Sequence, residues 1–392
     1  MYPRDDATPP PFMTVAEVAQ YLHVSLAAPR LVAKSAVIMA LVATLAAPAF
    51  ANTLLANCPS TDLQAVIDSA NSGDTILIAG TCVGQFVVKD KSITLRRSGK
   101  KAAILDGNGV GTVLSVTGEL GFPPDVSVNG LVVRNGDVAG INSGFSTTTL
   151  KNITVTGNRR YGVAVLGIAT IISSRIQSNG VGVQAGGEFG QVTIIGSKVS
   201  GNAGAGVLCD NVIDIKGSTI SNNRGGGIGI SNCGITLTNS TVAKNVCDCD
   251  GAGISNGHDG FLSLVNSSVI GNISKNSTFG GGGILSADGS SLNITGSTIS
   301  GNSTDGSGGG IFLEAGSFTL DDSRVAHNNA GINGGGLFIW PSYADNAAFT
   351  GSDAIRRNRA GQDGGGVCDR SGTVSVPAGI VTRNSPDDFC KP

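Results

Sequence analysis

Ser197-Lys198-Val199-Ser200-Gly201-Asn202-Ala203-Gly204-Ala205-Gly206-Val207 is followed, 21 residues on, by Ser218-Thr219-Ile220-Ser221-Asn222-Asn223-Arg224-Gly225-Gly226-Gly227-Ile228. Both stretches place Ser, an aliphatic, Asn and a Gly-aliphatic pair at the same offsets. Working outward, the frame yields eleven asparagines spaced 21 to 30 residues apart: Asn135, Asn158, Asn179, Asn202, Asn223, Asn245, Asn272, Asn302, Asn328, Asn358 and Asn384. Val or Ile stands three residues before each, from Val132 to Val381. Ser stands five residues before in seven successive repeats, from Ser174 to Ser323. A Gly-aliphatic pair follows each of the first ten, from Gly140-Ile141 to Gly366-Val367. A period of this length marks a stacked repeat, in which one unit cannot bury its apolar face without neighbours.

The repeats alternate, as in Val192-Thr193-Ile194 and Leu262-Ser263-Leu264, and lack helical periodicity. Short β-branched runs between abundant glycines (59 in all) suit short strands joined by tight turns. About 22 residues at roughly 3.3 Å each make one coil of three short strands, and stacked coils pair parallel strands about 4.8 Å apart. In-register stacking places identical residues over one another, so an inward Asn at a turn can bond the Asn and backbone of the next coil. The expectation is an all-β solenoid of about a dozen coils.

These Gly-Gly-Gly-Ile and Ser-x-Ile-Ser-Gly-Asn repeats resemble the right-handed parallel β-helix family, the pectate-lyase-like fold, over residues 58 to 392. They are also similar to repeats of polymorphic outer-membrane adhesins. The right hand is what the resemblance implies, supported by the general crossover rule. Activity does not follow, because one fold hosts many functions.

Residues 30–51 read as a secretory signal: Arg30 and Lys34, an apolar Ala36–Ala47, and Ala49-Phe50-Ala51 as the cleavage site, with Asn52 the first mature residue. The alternative is a retained anchor, for which the apolar run is short. Residues 1–29 read as a spurious or disordered extension upstream of the true start. Met13–Ser25 resembles the opening of an excisionase-like helix-turn-helix, but only over 13 residues. Residues 52–82 read as an N-terminal cap and 83–392 as the β-helix. Within the cap, Leu63, Val66, Ile67 and Ala70 form one face of a helix with Thr61 or Asp62 as N-cap. Eight cysteines in an exported chain suggest disulfides. Cys58–Cys82 and Cys368–Cys390 are expected as staples at the two ends. Cys209 and Cys233 lie one coil apart and could bridge. Cys247 and Cys249 are left as a local disulfide, as partners for Cys209 or Cys233, or as a metal or redox pair. No barrel-forming segment follows the last coil, so an autotransporter passenger is not expected.

The gap from each ladder Asn to the next Gly-aliphatic pair is 4 at Asn158 and Asn223, but 8 at Asn245, 11 at Asn272 and 8 in each of the next three coils. Insertions recurring at one turn stack into a wall beside a binding face. This wall holds Asp248, Asp250, Lys275, Asp305, Arg359 and Asp363. Alternation turns Phe312, Glu314, Phe338 and Trp340 outward, with Arg370 at the next strand end and Tyr343 close by. Flat rings flanked by polar groups suit sugar faces, so these residues with Asp305 and Asp363 form the expected ligand site.

Asp321-Asp322, His258-Asp259 and Arg356, Arg357 and Arg359 fall in no signature of pectate lyases, alginate epimerases or polygalacturonases, so no catalytic residue is assigned. The formal charge of −2 supplies no overall basic field for nucleic acid or an acidic polymer. A neutral glycan, or an acidic one bridged by Ca²⁺, fits better. No membrane span is expected in the mature chain, and the location is secreted, periplasmic or cell-surface. The leading reading is a non-catalytic glycan-binding or adhesive protein. The runner-up is a polysaccharide lyase or hydrolase, and the third is a structural rod.

Overall fold

The computed structural model describes residues 51–119, 121–277, 279–341 and 347–391. The extension, almost all of the signal segment and Tyr343 lie outside them. From Thr53 onward the chain winds as parallel coils with three faces. The first runs from strand Thr53–Asn57 to Ala347–Thr350, and the second from the end of the long strand Thr75–Val83 to Val381–Thr382. The third stacks twelve strands, Phe86–Lys89 to Val367–Asp369, one per coil. All pairings between named strands are parallel and in register. One inward row on the third face reads Val163, Val183, Val207, Ile228, Ile254, Ile284, Ile311, Leu337 and Val367. Every member is buried.

The ladder asparagines sit inside the turn between the second and third faces. From Asn158 to Asn358, both the backbone N–H and the Nδ2 of each donate to the Oδ1 of the next, at 2.8–3.2 Å. Asn384 closes the stack by donating from its backbone N–H and its Nδ2 to Asp388 Oδ1, at 2.9 and 2.8 Å. At the other end Asn158 Oδ1 accepts from Gly136 N. Asn135 is therefore not a rung: it adopts φ 59° and turns its amide onto Asp106. Burial opposes ionisation of Asp106. It is outweighed by hydrogen bonds from Asn108 N and Asn135 and by Arg134, and the carboxyl lies below its ordinary range.

The serines form a second ladder. Each backbone N–H from Ser174 to Ser297 donates to the next Ser Oγ. In the following coil the Ser position is Asp353, whose Oδ1 accepts from Ser323 N at 2.8 Å while Oδ2 is buried without a partner. Burial, then the charges of Asp321 and Asp322, hold the Asp353 carboxyl above its ordinary range against the opposing hydrogen bonds from Ser323 and Thr350. A raised folded pKa costs nothing where both folded and unfolded forms are protonated. The cost grows as pH rises from the ordinary carboxylate range through the folded value, and is complete above it. Asp353→Ser, which restores the ladder residue, is expected to stabilise the protein by about 1 kcal/mol at pH 7. Urea unfolding at pH 7 and below the carboxylate range should show that gain and then its loss.

The helix Leu63–Ser69 buries Leu63 and Ile67, and its N-cap Asp62 accepts from Gln64 N and Ala65 N. Gln64 also grips the backbone of Val87 on the first third-face strand. Lys91 Nζ donates to the carbonyls of Ile67, Asp68 and Ala70 at the helix end. The helix thus packs Leu63, Ile67 and Ala70 into the main core. Cys58–Cys82 and Cys368–Cys390 are bonded, as are Cys209–Cys233 and Cys247–Cys249. The last pair is a local disulfide. No helix among the described residues is long and apolar enough to cross a membrane.

Candidate functional site

The insertions after Asn245 do form an added layer. Five short strands, Val246–Cys247, Ile273–Ser274, Ser303–Thr304, Asn329–Ala330 and Arg359–Ala360, pair in parallel as a ledge. The residues after them do not stand off as a wall. Gly308, Gly334 and Gly364 turn left-handed at φ 58–66°, and a Cβ on each would press on the strand of its own coil at Phe312, Phe338 and Cys368. The insertion therefore lies flat on the outer surface of the third face.

That fold-back removes the exposed aromatic stripe. Phe312 is 0% and Phe338 5% exposed, and with Cys368 they form a second small core against Leu285, Trp340 and Cys390. The Phe312 ring lies 5.1 Å from Phe338, 6.1 Å from Phe279 and 5.7 Å from Trp340, centroid to centroid. Phe312 and Phe338 are packing residues, and Trp340 is half-buried beside them. Asp305 accepts from Asn276 N, and Asp363 accepts from Lys391 N and contacts Arg370 at 3.6 Å. These two carboxylates tie loop to loop. Asp250 does the same with Ser277, Phe279 N and Gly280 N. Glu314, Trp340 and Arg370 follow their strands at the same corner in successive coils, their N–H groups bonding back to Ser286, Leu313 and Ile339. Burial, then the neighbouring Asp288 charge, raises the Glu314 carboxyl.

The same corner, between the third and first faces, holds an open trough near the N-terminal end. Most connections here are short, such as 166–167 and 210–211, but 118–124 and 186–190 are longer. These two loops flank a cavity of about 230 Å³ lined by Phe145, Ile168, Phe189, Thr147, Gln191 and Glu119. Phe145 and Phe189 meet edge to face, centroids 6.1 Å apart, and remain 40% and 48% exposed. Their backbones are held. Ser146 shares a buried hydroxyl cluster with Ser143 and Thr148, and Asn211 Nδ2 donates to Glu188 O at 2.6 Å. Gly167 also lines the trough, at a position where any Cβ would run into the carbonyls of Gly144 and Ser146 in the preceding coil. The trough's sequence signal is a Phe inside an over-long connection, in Gly187-Glu188-Phe189.

Among the described residues no three His, Cys, Asp or Glu side chains are grouped to hold a metal ion. Residues 115–269, which contain the trough, match the family described as the right handed beta helix region. The stacked coils define the class: a right-handed parallel β-helix. Among solved structures, one titled "Crystal structure of pectate lyase Pel9A" is similar, with TM-score 0.46 and 15% identity over 64% of this chain and 80% of that chain. No curated protein matches the chain.

Proposed function

We propose that this is a non-catalytic extracytoplasmic β-helix that binds neutral polysaccharide along the corner between its third and first faces. The observation that carries the reading is the exposed Phe145–Phe189 pair in an open trough that the hydrogen-bonding groups of Thr147, Gln191 and Glu119 also line. Rings of this kind stack on the apolar faces of pyranoses while polar neighbours take the hydroxyls. Among the described residues Glu119 is the one ionisable side chain lining the trough, whereas acid–base cleavage of a glycosidic bond takes two carboxylates. A long chain reaches Glu314 and then Trp340 on the same corner, about 24 and 29 Å beyond the coil of Phe189 at roughly 4.8 Å per coil. Four disulfides and the Ala49-Phe50-Ala51 signal suit export to an oxidising compartment.

Phe189→Ala is expected to weaken retention on a neutral polysaccharide about tenfold, the effect of losing one aromatic anchor. Its thermal unfolding should be unchanged, because the ring is half out of the protein. Unchanged retention would remove the trough from the account. A concentration-dependent dimer lost in Phe189→Ala would assign the rings to a second copy of the chain instead.

A further inference from the structure

The formal charge of −2 conceals a segregated surface. On the second face, the last three coils bring together Arg324, His327, Arg356, Arg357, Arg359 and Arg383. The register places Arg324 opposite Ala354 and Arg356 opposite Thr382, so Arg324 and Arg356 are diagonal neighbours and Arg357 and Arg383 follow one above the other. None of these six makes an ion pair within the described residues. The Nε atoms of Arg324 and Arg356 are buried without any acceptor. No Asp or Glu occupies an outward position of these strands or of the adjoining ledge strands. Asp353, at the corner before this face, is turned onto Ser323, and Asp387 contacts Lys391.

Backbone geometry adds an independent observation. From Asn158 on, the residue before each ladder Asn is left-handed; four coils use glycine there (Gly157, Gly201, Gly271 and Gly301) and three use Ser178, Asn222 and Lys244. The last three coils use His327, Arg357 and Arg383 at φ 56–61°. A long side chain in this conformation is disfavoured relative to glycine. His327, Arg357 and Arg383 are thus stacked in a backbone conformation that glycine adopts more readily, and local strain of this kind concentrates at functional sites.

From this we infer that the C-terminal part of the second face is a docking surface for an anionic lipid bilayer. Arginine forks match phosphate oxygens, and the patch is the open face of a sheet, suited to a plane of headgroups. Its outward rows carry no aromatic ring on which a nucleic acid base could stack. Docking here is electrostatic and reversible, so it screens with salt.

The test is flotation of the intact protein with vesicles of phosphatidylcholine alone and of equimolar phosphatidylcholine and phosphatidylglycerol. Binding to the anionic vesicles only, released by salt, is expected. The double variant Arg357→Gln, Arg383→Gln should lower the partition coefficient about 30-fold, from two surface cations, with unfolding unaffected or slightly improved. Equal binding to both vesicles, no binding, or an unchanged double variant would overturn the inference. So would displacement from vesicles by single-stranded oligonucleotide or an acidic polysaccharide at lower charge concentration than by soluble phosphatidylglycerol headgroup.

Discussion

Asn272→Ala is expected to lower the unfolding free energy by about 2–6 kcal/mol, the range for stranding two buried donors at about 1–3 kcal/mol each. The substitution takes the acceptor from both Asn245 N–H and Asn245 Nδ2, and removes the donor to Val242 O. Asn272 is fully buried, so no water replaces these partners at its position. Contacts in a solenoid run between neighbouring coils, so the damage should be local first. Amide exchange should accelerate in the coils of Asn245 and Asn302 before it does near Cys58. Asn293, outward on the first face and outside the ladder, is the control; its replacement by Ala should cost no more than about 0.5 kcal/mol. Equal costs at the two positions would mean that the ladder does not hold the coils.

Phe312→Ala has the second large effect, about 3–5 kcal/mol, the cost of emptying a buried aromatic site. Phe312 is sealed by Phe279, Phe338 and Trp340, and the folded-back glycines prevent the layer from closing simply onto the space. If the ring were a ligand contact on an open surface, the same change would abolish binding and leave stability nearly untouched. Denaturant unfolding and polysaccharide retention measured on one preparation separate the two. The packing role predicts a lowered midpoint with retention preserved under folding conditions.

The fold was legible because in-register stacking forces the same residue into the same place coil after coil. Asn158 to Asn384, Ser174 to Ser323 and the aliphatic rows could be read as ladders before any geometry was known. The end staples followed from cysteines bracketing the first and last coils. Asn135 shows the limit of the pattern: it keeps the spacing but bonds Asp106, because the ladder ends at the next coil. Asp353 and Asp388 close the ladders with carboxylates that the repeat spacing does not single out.

The site was much less legible. Alternation correctly turns Phe312 and Phe338 away from the main core, yet outward on a strand is not exposed when an insertion lies back on that strand. The recurrent left-handed glycines at 308, 334 and 364 encode the fold-back, but a gap length cannot distinguish a standing wall from a flat flap. The trough lies at the other corner, where spacing measured from the ladder asparagines says nothing. Net charge likewise hides an arginine face balanced by acids elsewhere. In each case what mattered was which residues of separate coils share one edge.

The most direct test incubates the intact, oxidised protein with a panel of neutral and acidic polysaccharides, with and without Ca²⁺. Retention of the protein and the appearance of new chain ends are followed in the same tubes. The account predicts retention on a neutral polysaccharide, weakened by Phe189→Ala, and no new ends on any substrate. New reducing or unsaturated ends on any polysaccharide would contradict it and make the protein an enzyme.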